Sequence, residues 1–253
     1  MPVSAVEDAA IERLRKELER TLDRQEKELR RLAAVVKRGG TKKATLAAAL
    51  AIGDKLADAL EGMGSTATKA FRRTVGAVVA EVGAELADIG IPPALSEVGE
   101  TTLQAQLGTA IDDIAERTGR GARTALREVI TEQLRGTVDP ADAIEAVRRQ
   151  LGQTVAQVLT VVDTATMGVD RTIVLAQASD SGFEWFGYDG PSDSLTRPWC
   201  AEHIGKRYRD TQIAAMDNGT DLSAAAFGGG HNCRHRWVIL DPSELKDWPI
   251  GTA

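Results

Sequence analysis

Between residues 5 and 38, Leu18, Leu22, Gln25, Leu29, Leu32 and Val36 recur in alternating steps of four and three. That spacing predicts one long helix carrying the seam of a short coiled coil, which Ile11 and Leu14 extend with one irregular step. The seam can be covered by the chain itself, by a second copy or by another protein. Gly39-Gly40 ends the pattern. A second helix is expected over 42–61, broken by Gly62-Met63-Gly64-Ser65, and a third over 66–89, stopped by Gly90-Ile91-Pro92-Pro93. Further helices are expected at 95–119 and 120–136. Asp139 is placed as an N-cap with Pro140 at the first helical position. The helix it opens is expected to stop near Gly152, with another over 153–179.

The texture changes at Ser181-Gly182. All four tryptophans, both tyrosines, all three histidines and both cysteines lie beyond it. Residues 183–188 (Phe-Glu-Trp-Phe-Gly-Tyr) alternate and are aromatic, so they read as a strand. Asp189-Gly190-Pro191-Ser192 reads as a turn, 210–218 as a short helix and 234–240 as a second strand. The expected fold is mostly α, with an elongated helical body over 1–180 and a small α+β module over 181–253.

Composition agrees with the helical reading: aromatic residues are 4% of the chain, and Ala, Val, Leu and Gly supply most of the filling. Charge adds an asymmetry. Ile11–Lys43 holds 12 Lys/Arg against 6 Asp/Glu, a surplus of six positive charges, within a chain of net charge −6. The overall acidity argues against a dedicated nucleic-acid coat, while the basic first helix suits a local contact with DNA or an acidic partner. The N-terminus has no secretion signal, and the most apolar stretch, around 75–91, is interrupted by Glu81, Glu85 and Asp88. No membrane span and no disulfide scaffold are expected, and synthesis in a cytoplasm is.

Chemistry concentrates in the last quarter. Cys200 and His203 form a Cys-x-x-His pair, and Cys233 and His235 a Cys-x-His pair about thirty residues later. Two short ligand pairs joined by a loop can close on one tetrahedral ion, for which zinc suits thiolate and imidazole, with His231 as a spare ligand. Four protein ligands make such a site structural. The alternatives are two buried cysteines with hydrogen-bonded histidines beside them, or a Cys200–Cys233 disulfide, which a reducing cytoplasm disfavours. A metal-dependent nuclease is the second functional reading, with His231 as base and Arg197, Arg234 and Arg236 on phosphate. Gly228-Gly229-Gly230 lacks the Lys-Ser/Thr of a nucleotide loop and reads as a mobile turn. Asn218-Gly219-Thr220 also reads as a turn.

The order Tyr188-Asp189-Gly190-Pro191-x-Asp193-x-x-Thr196-Arg197-Pro198-x-Cys200, then Gly205-Lys206-x-Tyr208 and Met216-Asp217-Asn218-Gly219, closes with Phe227-Gly228-Gly229-Gly230-x-Asn232-Cys233-Arg234-His235-x-Trp237. Over these fifty residues the chain resembles the Mu protein F-like family of phage head morphogenesis proteins. Many relatives close with Asn-Cys-Arg-Cys, where this chain has His235. That exchange keeps a metal-ligand type in place. The resemblance implies a non-enzymatic minor capsid protein near the portal vertex inside the head, aiding head assembly and DNA packaging or ejection. Its implied partners are the portal and major capsid proteins, with DNA contact through 11–43 and self-association through the first helix. Its implied location is the virion head interior, and the host cytoplasm during assembly.

Overall fold

The computed structural model describes residues 9, 11–21, 23, 24, 27, 42–92, 94–121, 124 and 140–252. Over them the chain is mostly helical, with one three-stranded antiparallel sheet near the C-terminus. Residues 11–21 are helical, and Leu14 and Leu18 are buried. The rest of the expected seam, Leu22, Gln25, Leu29, Leu32 and Val36, lies outside the described residues. So do the Asp139 cap and most of the helix expected over 120–136.

Two expected breaks do not occur. Helix α1 runs unbroken over Lys42–Asp88, through Gly62 and Gly64. Leu60, Met63, Ala67, Phe71, Val75 and Val78 keep a helical spacing across the glycines, and all are buried. Burial of that stripe outweighs the roughly 1 kcal/mol that each interior glycine costs relative to alanine. Gly64 also has a packing reason to be glycine, because a Cβ there would run into the Oγ1 of buried Thr118. Helix α2 covers Glu97–Glu116 and passes into a π turn at Arg117–Gly121. Helix α3 covers Pro140–Asp180 without stopping at Gly152. Leu151, Val155, Val158 and Val162 hold its buried face through that point.

The sheet comprises β1 (Trp185–Asp189), β2 (Arg207–Arg209) and β3 (Arg236–Ile239), in the order β2-β1-β3. Central β1 pairs Phe186 with Tyr208 and Ile239, and Tyr188 with Trp237. Phe186 and Tyr188 are fully buried on one face. On the other face Gly187 leaves room for the Trp248 ring, which a Cβ would meet at 2.7 Å. Short helices α4 (Pro198–His203), α5 (Asp210–Ala215) and α6 (Ala224–Phe227) fill the connections. The tail adds a parallel bridge beside β2, with Arg207 N–H donating to the Pro249 carbonyl.

The compact units do not divide at residue 180. One unit gathers Phe71–Ala110 and Val162–Ala253, the other Ile11–Ala70 and Ile111–Val161. The sheet module therefore shares its unit with the C-terminal part of α3, and the reason is a set of polar contacts given below. Among the described residues no helix is long and apolar enough to cross a membrane.

Candidate metal centre

A short helix and the segment leading into β3 bring the chemistry together. Pro198 starts α4 at a position where its missing N–H costs nothing, and the turn that follows points Cys200 into the core. Cys233 and His235 lead into β3. Two residues apart in extended chain, they face the same side. The ligand atoms of Cys200, Cys233 and His235 all lie within 4.8 Å of one another, and all three residues are buried, so this group could hold a metal ion. The two sulfurs are 3.7 Å apart, both cysteines are free thiols, and His235 Nδ1 stands 3.6 Å from the Cys233 sulfur.

The histidine tautomer suits ligation. His235 Nε2 donates to the Pro191 carbonyl at 2.9 Å, which leaves the Nδ1 lone pair facing the sulfurs. A metal-bound histidine typically has such a carbonyl behind it. The turn at 189–192 approaches closely enough that a Cβ on Gly190 would meet the His235 ring at 2.6 Å. Cys233 sulfur also accepts the Gly229 N–H at 3.3 Å. The Cys200 thiol donating to Cys233 pulls the Cys233 thiol down, helped by His235 and the Arg171 charge, while the same bond together with burial pushes Cys200 up.

His203 does not join this group. Its Nδ1 donates to the Trp199 carbonyl at 2.6 Å, and its ring stacks on the Trp199 ring at 4.0 Å. The four-ligand set expected from Cys-x-x-His and Cys-x-His spacing is therefore corrected to three of those residues. His231 is exposed, and its carbonyl accepts from the Arg197 guanidinium. Gly228-Gly229-Gly230 is a tight cradle and not a loose turn. A Cβ at Gly228 (φ +53°) would stand 2.6 Å from the Tyr188 hydroxyl and 2.9 Å from the Cys233 sulfur, and one at Gly229 would collide with the Cys200 sulfur.

The other motif residues build the frame around the cluster. Arg234 grips Asp193 in a bidentate pair at 2.6 and 2.8 Å, which holds the Asp193 carboxyl well below the usual carboxylate range. Thr196 Oγ1 accepts the Asp193 N–H and donates to the Pro191 carbonyl. Arg197 donates to the Gly229 carbonyl. Asn218 Nδ2 donates to the Gly228 carbonyl at 2.6 Å, while its Oδ1 accepts from Thr220. Gly205 and Gly219 have φ near +70°, which only glycine adopts freely. Lys206 supplies a carbonyl to Tyr188 N–H. Asp189 pairs with Arg236 across β1 and β3, and buried Trp237 donates to the Ala225 carbonyl. Asn232 is at φ +52°, a conformation that asparagine tolerates, and its N–H reaches Thr164 on α3.

Arg171, which the sequence reading passed over, holds the assembly from behind. It is 1% exposed and donates to the carbonyls of Ala226, Cys233 and His235. A signal existed: Thr164, Gly168 and Arg171 stand four and three apart on α3, and each meets the loop 226–235, with Phe227 packed against Gly168. Small or polar residues at helical spacing inside an apolar helix mark a docking face.

Compared with known proteins, the chain matches no family, no curated protein and no solved structure.

Proposed function

We propose that this chain is a minor head protein of a tailed bacteriophage, of the Mu protein F-like kind, acting as a structural component near the portal vertex. The observation that carries the reading is the use made of the motif. Residues scattered from Asp189 to Trp237 converge on one another, with Asp193 on Arg234, Arg197 and Asn218 on the glycine loop, and Asn232 on Thr164. Such use suits a folded part of an assembly. Two of the cations that a nuclease would place on phosphate, Arg197 and Arg234, are instead spent on carbonyls and on Asp193.

Zinc is the ion proposed for Cys200, Cys233 and His235, because a mixed thiolate and imidazole set suits it and the cluster is enclosed. The helical part would meet the portal and major capsid proteins. The basic stretch 11–43 would meet DNA or a second copy, inside the virion head and in the host cytoplasm during assembly. Mass spectrometry of purified virions is the test. Low-copy presence in particles and proheads is expected, and absence from both would refute the proposal. Plasmid cleavage that needs a divalent ion and vanishes in His231→Ala would overturn it in favour of a nuclease.

A further inference from the structure

The metal-binding reading leaves the fourth coordination position to be assigned, and the geometry at Tyr188 supplies a candidate. We propose that Tyr188, through its phenolic oxygen, is the fourth ligand of the ion held by Cys200, Cys233 and His235. This inference rests on that metal reading.

The argument is one of edges. Two thiolates bound to one tetrahedral zinc at about 2.3 Å stand about 3.8 Å apart, and a thiolate and an imidazole nitrogen about 3.6 Å. The observed separations are 3.7 Å for Cys200–Cys233 and 3.6 Å for Cys233–His235 Nδ1. An oxygen ligand at about 2.0–2.2 Å from zinc should lie about 3.5–3.7 Å from each sulfur. Tyr188 Oη is 3.6 Å from the Cys200 sulfur and 3.3 Å from the Cys233 sulfur. Three vertices of a tetrahedron are thus joined by a fourth oxygen at nearly the right distance from two of them.

Burial and charge agree with this vertex. Tyr188 is fully buried, and the glycine at 228 brings backbone against its hydroxyl where any side chain would clash. Two thiolates, one phenolate and a neutral imidazole around a divalent ion leave one net negative charge. Directly behind the loop stands Arg171, buried and, among the described residues, hydrogen-bonded to the carbonyls of Ala226, Cys233 and His235. A buried cation is costly, and an anionic centre beside it offsets that cost. The binding step balances simply: the ion enters, the ligands bond to it, and the thiol and phenol protons pass to solvent.

The test is an ultraviolet difference titration of the metal-free full chain with Zn²⁺. The expected result is a tyrosinate difference signal that saturates at one equivalent. It should persist in Tyr208→Phe, which removes the other of the two tyrosines, and vanish in Tyr188→Phe. Zinc affinity should fall roughly tenfold or more in Tyr188→Phe. Zinc bound at one equivalent without any tyrosinate signal would overturn the tyrosine ligand and leave the three-residue metal site standing. No zinc bound at all would remove both. Should Tyr188→Phe fail to fold, the wild-type and Tyr208→Phe titrations still decide.

Discussion

Arg171→Met tests whether the module is held to α3 by a single buried guanidinium. The substitution keeps the length and apolar stem of the side chain and removes every donor. Three carbonyls, on Ala226, Cys233 and His235, then lose their partner. At about 1–3 kcal/mol for each buried group left unsatisfied, the loss is about 3–9 kcal/mol. Relief from desolvating the guanidinium returns a few kcal/mol of that, so the net destabilisation should be about 2–5 kcal/mol. Arg171→Lys should fall between wild type and Met, since a single ammonium cannot fork across all three carbonyls. The assay is denaturant unfolding followed by tryptophan fluorescence. Trp185, Trp199, Trp237 and Trp248 are the only tryptophans, so the signal reports the module and not the long helices. A Met variant within about 1 kcal/mol of wild type would show that these hydrogen bonds are not what holds the loop.

Four further outcomes are expected. Gly62→Ala, with nothing within 4 Å of the new methyl, should stabilise by about 0.5–1 kcal/mol, whereas Gly64→Ala should destabilise by about 1–3 kcal/mol because the methyl meets Thr118; thermal melts of the pair decide. Cys200→Ser and Cys233→Ser should each abolish stoichiometric zinc binding measured by elemental analysis, while His203→Ala should retain it. Asp193, held low chiefly by its hydrogen bond from Arg234, should contribute stability that is complete above the ordinary carboxylate range and lost as pH falls from that range toward its own lowered value, so Asp193→Asn should flatten the acid side of a stability–pH curve. Asp170 has the opposite sign. Burial raises it against the opposing charges of Arg236 and Arg171, so its contribution declines as pH rises from the ordinary carboxylate value toward its own, and Asp170→Asn should be neutral or stabilising at pH 7.

What the sequence made legible depended on whether the signal was local. The aromatic alternation at 183–188 and the Trp-Val-Ile-Leu run that closes 234–240 marked β1 and β3 because both are properties of neighbouring residues. β2 is three residues long with arginines at both ends, and its pairing with Trp185, Phe186 and Gly187 of β1 is what makes it a strand. Glycines 62, 64 and 152 read as breaks because backbone entropy is a local cost, whereas the packing that overrides it comes from elsewhere in the chain. The metal ligands divide in the same way. Cys233 and His235 share a face by local geometry alone. His203 looked equivalent to them, yet one turn of helix placed its Nδ1 over the carbonyl of Trp199, which satisfied it first. Tyr188 was legible as core, but the aim of its hydroxyl at two sulfurs was not.

These failures share a cause that bears on how the module stays folded. Strands of five, three and four residues make a sheet near the lower limit of independent stability. The apolar surface such a sheet can bury is small, and the loops around it are long. Polar contacts therefore set the structure: a buried arginine on three carbonyls, an asparagine on a glycine loop, an aspartate clamped by an arginine, and a sulfur–imidazole cluster at their centre. The first three join positions ten to sixty-four residues apart and the cluster reaches from Cys233 back to Cys200, thirty-three residues away, so none of these long-range links leaves a periodic trace. An ordered list of specific residues at fixed spacing is the one trace such a network can leave in a sequence. That is why the polar residues and glycines between Asp189 and Trp237 should be read first as the fold's own fastenings.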